Sequence, residues 1–231
     1  MMKNLQSSQN IGGVLMQHGK NETTGNDNEV NSGFQHYYTE DPTSVLKVKQ
    51  IEFTLKDGHI YKFKTPSGVY SFGAIDKATT ILINHCSRVD GRVLDIGCGY
   101  GVIGIALKKE NPSISLFMSD INKRAVEFAK INAKDNNIEA DIRQGNLYEP
   151  WQDELFDAII SNPPIVAGKE VWMKLVAGAF DHLKVNGTLQ LVAYHNKGGE
   201  RIKKYMAEVF GNVQDIWKEG GIRIYLSVKN S

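Results

Sequence analysis

Between Val45 and Lys64 the chain alternates apolar and polar residues with the two-residue period of a β-strand. Ile51, Phe53 and Leu55 stand against Glu52, Thr54 and Lys56, with a phase slip near Gln50. Asp57-Gly58 offers the residues of a tight turn, and Ile60 to Lys64 return as a second strand, so the pattern predicts an antiparallel hairpin over 45–65. Its Lys47, Lys49, Lys62 and Lys64 read either as a basic face beside a site or as an ordinary solvated strand face.

Beyond Ala74 the period changes repeatedly. Helical spacing is expected at 76–84, 101–110, 123–135, 169–182 and 199–210, and strands at 92–96, 113–119, 140–144, 156–161 and 188–194. Such alternation calls for an α/β fold with a parallel sheet covered on both faces. The last two strands, 213–218 and 221–228, are joined by Glu219-Gly220, a link so short that the pair must be antiparallel. Residues 1–33 carry few large apolar groups and read as a disordered leader; the run Ile11 to Met16 is its exception, a candidate transient helix or docking turn. Residues 34–231 form the expected domain, the core being 76–231.

With 231 residues, of which 41% are hydrophobic, the chain can bury one sizeable core. A net charge of +1 excludes a global basic field of the kind that drives nonspecific nucleic-acid binding, so any RNA contact must be local. No apolar run approaches the length needed to span a bilayer, and the first residues lack a signal-peptide pattern; a cytoplasmic location with no membrane contact is expected. Cys86 and Cys98 have no zinc spacing and read as reduced thiols, and no metal constellation is found.

Chemistry concentrates at two places. Arg92 to Gly101 reads as a buried strand running into a Gly-x-Gly-x-Gly turn at Gly97, Gly99 and Gly101, with Cys98 inside it, and then a helix. Glycines there let the backbone turn and a ligand approach, although a glycine turn alone is weak evidence for a cofactor. Asp95 beside the loop would repel a pyrophosphate but hold a cationic amino group, which favours S-adenosyl-L-methionine over NAD. No Gly-Lys-Ser/Thr follows, which argues against triphosphate hydrolysis. Asp120 ends the next strand where a carboxylate can accept ribose hydroxyls, in the segment Asp120-Ile121-Asn122; Asp120 or Asn122 could equally cap the next helix. Asn146 is placed to meet an adenine amino group or merely forms a turn.

The second place is Asn162-Pro163-Pro164-Ile165 at the end of strand 156–161. Prolines stiffen the backbone and remove donors, leaving carbonyls to accept. An amino group there can donate one hydrogen to the Asn162 side-chain oxygen and one to the Pro163 carbonyl, with its lone pair aimed at a sulfonium methyl. Positioned acceptors stabilise the positive charge that develops on nitrogen.

Carrying these motifs, the chain resembles the small-domain S-adenosylmethionine methyltransferases that include bacterial ribosomal RNA guanine-N2 methyltransferases of the small subunit. The likeness runs through His36-Tyr37-Tyr38, Gly68-Val69-Tyr70-Ser71, Asp76 with Thr79, Asp95 to Gly101, and Asn162 to Ile165 followed by Gly168-Lys169. It implies a Rossmann-like class I fold of seven strands, mostly parallel, with a C-terminal antiparallel hairpin, and methylation of the guanine 2-amino group in RNA. It also implies that Asp76 and Thr79 serve the cofactor, while Tyr70, Ser71, Ile165 and Lys169 meet substrate; Tyr70 is otherwise an ordinary core aromatic. The chain departs from the family at Ala78, where Gly is common, at Asn146, where Asp is common, and at Ile165, where some members have an aromatic ring. It is too short for the degenerate second domain of two-domain members, which leaves RNA delivery to its own lysines, a homodimer or a partner protein. Two rivals stand beside rRNA or tRNA methylation: a protein glutamine-amide methyltransferase, and a noncatalytic S-adenosylmethionine-binding subunit.

Overall fold

A computed structural model describes residues 39–54 and 58–231. The leader, the Ile11 to Met16 run, His36-Tyr37-Tyr38, and Leu55, Lys56 and Asp57 of the hairpin lie outside the described residues.

The hairpin pairs β1 (Val48–Thr54) with β2 (Ile60–Pro66) in unbroken antiparallel register from Val48↔Pro66 to Thr54↔Ile60. The phase slip near Gln50 makes no bulge: pairing runs unbroken through it, and Val48 is left exposed while Ile51 and Phe53 face inward. Nor do the four lysines share a face. Lys62 pairs with Glu52, Lys64 with Asp135, and Lys49 lies over the Phe72 ring.

Five helices and seven further strands follow: α1 (Lys77–His85), β3 (Arg92–Ile96), α2 (Val102–Glu110), β4 (Ser115–Asp120), α3 (Lys123–Asp135), β5 (Asp141–Gln144), β6 (Phe156–Ser161), α4 (Lys169–His182), β7 (Leu183–Tyr194), α5 (Gly199–Phe210), β8 (Gln214–Glu219) and β9 (Ile222–Val228). The sheet order is β5-β4-β3-β6-β7-β9-β8, parallel from β5 to β7 and antiparallel at β9 and β8. This is the expected Rossmann-like architecture. Strand β7 begins five residues before the expected 188, directly after α4, because Leu183 pairs with Phe156 ahead of an irregularity.

Strand alternation divides the core. Val93, Met118, Ala158 and Ile160 pack with α1, α2 and α3, whereas Leu94, Ile96, Ile159 and Leu191 pack with α4 and α5. Chain order reverses between β3 and β6, so their carboxyl ends open a crevice at the switch point, the place where open α/β sheets bind ligands.

The hairpin packs on α3 and on Tyr100 of the glycine loop. Tyr61 and Phe63 are buried, and Phe63 meets Tyr100 edge-on. Buried Asn132 on α3 accepts from Lys64 N at 2.8 Å and donates to the carbonyls of Lys64 at 3.0 Å and Tyr100 at 2.9 Å, tying hairpin to glycine loop. Arg124 donates to the carbonyls of Pro42, Ser44 and Ser67 and holds the segment before the hairpin against its end. No helix among the described residues is long and apolar enough to cross a membrane.

Candidate active site

A cavity of about 730 Å³ opens at the carboxyl ends of β3, β4, β6 and β7, and its size falls within the usual range for small-molecule sites. The loop after β3 forms its floor. Gly97 and Gly99 stand at φ 71° and 56°, in the left-handed region, and a Cβ on either would meet no atom closer than 3.9 Å, so an added side chain would project into open space. Gly101 serves packing instead: a Cβ there would come within 3.0 Å of Ile105 and 3.3 Å of Ala129. The Ser119 carbonyl accepts both Gly97 N at 2.8 Å and Cys98 N at 3.0 Å, and Gly101 caps α2 without any side-chain bond.

Asp120, ending β4, accepts Gly99 N at 2.8 Å on one oxygen and Asn122 N at 2.9 Å on the other. A carboxylate has about four acceptor positions, so each oxygen keeps capacity toward the cavity. Burial raises its pKa against the pull of those backbone donors. Burial also pushes the Cys98 thiol well above its ordinary range, with the charges of Asp120 and Asp95 adding to it, so Cys98 lines the wall as a neutral group.

Opposite the glycine loop, Asn162 follows β6. Its amide nitrogen donates to Thr79 Oγ1 at 3.0 Å and lies 3.3 Å and 3.4 Å from the Asp76 oxygens. Pro164, at φ −75° and ψ 75°, is the centre of an inverse γ-turn in which Ile165 N donates to the Pro163 carbonyl at 2.8 Å. That carbonyl is thus shared with the chain rather than wholly free, as the two prolines alone suggest.

Of the residues expected from the sequence, Tyr70, Ser71, Asp76, Thr79, Gly97, Cys98, Gly99, Asp120, Ile121, Asn146 and Asn162 to Ile165 all line this cavity. Several expectations need correction. Asp95 is off the wall and fully buried; it shares a strand face with Val93, and its Oδ2 accepts Gly104 N of α2 at 2.9 Å, so it braces the loop-helix junction instead of facing a ligand. Asn122 is the helix cap: its Oδ1 accepts Ala125 N at 3.1 Å and its Nδ2 donates to the Gly68 carbonyl at 2.9 Å, which consumes the side chain. Gly101 lies under the loop, and Lys169 is exposed at the start of α4, away from the lining. Ser71 reaches the wall, but its hydroxyl donates to Ala74 O at 2.9 Å within its own turn. Asp76 and Thr79 line the cavity but spend their polar atoms on one another and on Asn162.

The sequence reading missed Tyr194, the last residue of β7, and Lys197 just beyond it, which line the cavity, Lys197 lying 5.4 Å from the Tyr194 ring centre. Their position at and just past a parallel strand's carboxyl end was the available signal. Among the lining residues Lys197 is the one cation, while Asp76 and Asp120 both contribute carboxylates. Burial, with the charge of Asp76 adding to it, pushes the Tyr70 phenol up to about 12, so it works as a neutral hydrogen-bonding group.

Asp95 also makes a pH prediction. Desolvation lifts its pKa from 3.8 to about 7. Between those values the folded chain holds a proton that the unfolded chain has lost, so stability falls as pH rises through the window. Asp95→Asn removes this titration. In thermal melts the Tm advantage of the variant over wild type should widen from about pH 4 to about pH 8; an advantage constant with pH would show that Asp95 is ionised in the fold throughout.

The methyltransferase small domain model matches residues 60–226. YbxB of Bacillus subtilis, described as uncharacterized, is 33% identical over 199 residues, covering 84% of this chain and 98% of its own. Ribosomal RNA small subunit methyltransferase C of Shewanella amazonensis is 33% identical over 166 residues, covering 70% of this chain and 48% of its own. A T. thermophilus 16S rRNA N2 methyltransferase, solved in complex with AdoMet and guanosine, superimposes with a TM-score of 0.68 at 22% identity over 82% of this chain and 52% of that one. The chain thus spans about half the length of these ribosomal RNA methyltransferases and nearly all of YbxB. With its sheet order, its switch-point cavity and a family match over most of its length, the chain belongs to the methyltransferase small domain family.

Proposed function

We propose that the protein is an S-adenosylmethionine-dependent N-methyltransferase acting on the guanine 2-amino group in RNA, ribosomal RNA before transfer RNA. One observation carries this reading: the glycine loop with Asp120 and the Asn162-Pro163-Pro164-Ile165 turn face each other across one cavity, with the Asn162 amide held by its nitrogen. The names of the relatives of which the chain spans about half support the choice of ribosomal RNA.

The residues fit the cofactor. Gly97 and Gly99 form a cradle that a Cβ would fill, Asp120 offers free acceptor positions to ribose hydroxyls, and a lining with Lys197 as its one cation offers little to hold a pyrophosphate. Ile121 and Asn146 line the cavity beside Asp120 and would meet the adenine, while Tyr70, Ile165 and Tyr194 line it where a base would enter. When bound, S-adenosylmethionine supplies an electrophilic methyl group on a sulfonium.

The chain contributes alignment and charge complementarity. The Asn162 oxygen accepts one hydrogen of the substrate amino group, and the remaining lone pair of the Pro163 carbonyl accepts the other. Both acceptors lower the cost of positive charge on the nitrogen as its fourth bond forms, and the surplus proton leaves to water afterwards. Ile165 supports the base by apolar contact in place of a stacked ring. A homodimer or a protein partner is a further proposal for holding a long RNA, testable by the mass of the RNA complex in solution.

The test is transfer of radiolabelled methyl from S-adenosylmethionine to total cellular RNA and, in a parallel reaction, to protein. Label in RNA that digests to N2-methylguanosine is the expected result. Label confined to protein would move the enzyme to glutamine-amide methylation, and cofactor binding without any label would point to a noncatalytic subunit.

A further inference from the structure

The direction of every hydrogen bond behind Asn162 follows from which groups can donate. Asp76, the N-cap of α1, accepts Ala78 N at 2.9 Å and Thr79 N at 3.2 Å on Oδ1, and the Thr79 hydroxyl on Oδ2. Thr79 has one hydroxyl proton, and it is committed to Asp76, so the oxygen presents lone pairs to Asn162. An amide oxygen in that position would face three oxygens and no donor. Only the NH₂ group fits, with a hydrogen directed at Thr79 Oγ1 and shared with the Asp76 carboxylate beside it. Side-chain amides are ordinarily ambiguous between their two orientations, but here the surrounding chemistry decides.

We propose that Asp76 and Thr79 are positioning residues, which lock the Asn162 amide so that its oxygen faces the incoming amino group. The idea rests on the reading of Asn162 as the acceptor in methyl transfer. It reassigns two residues that the family resemblance gave to the cofactor, and the contact joins positions 86 and 83 residues apart in the chain. The helix cap makes the clamp rigid, because the backbone N–H groups that hold Asp76 Oδ1 also set the direction of Oδ2. The Asp76 charge lies behind the amide, on the side away from the substrate, where it strengthens the far oxygen as an acceptor.

Asp76→Asn separates this role from simple capping, since Asn caps helices about as well as Asp. The variant's oxygen keeps the two backbone bonds, which turns its NH₂ toward Thr79 and Asn162; the Thr79 hydroxyl proton loses its acceptor, and Asn162 keeps only Thr79 Oγ1, with an N–H group facing it where the carboxylate stood. Its kcat should fall on the order of 10²-fold, while KM, cofactor affinity and Tm stay close to wild type. Thr79→Val should fall in the same way, and Thr79→Ser should restore the rate. Full activity in Asp76→Asn would reduce Asp76 to a cap and overturn the proposal.

A second readout does not depend on turnover. The Asn162 side-chain NH₂ resonance, assigned by its loss in Asn162→Ser, should exchange slowly with solvent in wild type and Thr79→Ser. It should exchange quickly in Asp76→Asn and Thr79→Val. Fast exchange in wild type would sink the clamp, whereas slow exchange in a protein that labels no RNA would sink the RNA reading and leave the clamp standing.

Discussion

Asn162→Ala should lower the rate of methyl transfer by about 10² to 10³-fold, the usual cost of removing one oriented group that meets developing charge. Cofactor affinity should change by no more than about threefold, because the glycine loop and Asp120 belong to other strands and lose no contact. Stability should hardly move: Asn162 is half-buried, and Asp76 and Thr79 keep their own hydrogen bonds without it. Single-turnover rates at saturating cofactor, beside calorimetric titration of the cofactor, make the comparison. A rate within tenfold of wild type would show that the Pro163 carbonyl and the cavity shape align the amino group without Asn162. A parallel loss of cofactor affinity would make Asn162 a cofactor ligand first.

Trp151→Ala should cost about 3–5 kcal/mol of unfolding free energy, as expected for deleting a large buried aromatic. Trp151 is fully buried and meets Phe117 and Phe156 edge-on, with the Arg143 guanidinium 4.2 Å from its ring centre. Its indole N–H donates to Ser119 Oγ at 3.0 Å, and the carbonyl of the same Ser119 carries the first two amides of the glycine loop. Trp151→Phe keeps most of the ring and loses that donor, so it should cost about 1–3 kcal/mol and also weaken cofactor binding by loosening Ser119. Urea unfolding and cofactor titration of both variants check this. If Trp151→Phe weakened stability alone, the Ser119 hydroxyl would have no part in holding the loop.

Both variants show how a local residue acts through partners that the sequence does not place beside it. The period-two runs and the helical spacings were enough to identify the strands and helices of the sheet, because burial of one face imposes that period whatever the neighbours are. The short Glu219-Gly220 link required an antiparallel pair, and β8 and β9 form one. The glycine loop and the Asn-Pro-Pro turn were legible for a similar reason. Their conformations depend on the residues themselves, positive φ at Gly97 and Gly99 and a fixed φ at Pro164.

Side-chain direction was a different matter. Alternation alone puts Asp95 on the face of Val93, but that this face meets α2 and not the cavity depends on which helices cover it. Asn132 falls in the expected α3 helix as an ordinary polar residue, and is buried only because the hairpin docks on it from 68 residues away. Lys62 and Lys64 were charges without partners until the fold supplied Glu52 and Asp135. Thus the chain's own pattern determined the elements, the sheet class and the two loops that carry chemistry, since these follow from local sterics and the period of burial. Tertiary structure alone decided which polar side chains reach the cavity and which hold it in shape, because a hydrogen bond between Asn162 and Asp76 exists only once β6 lies at the switch point with the start of α1 opposite its end.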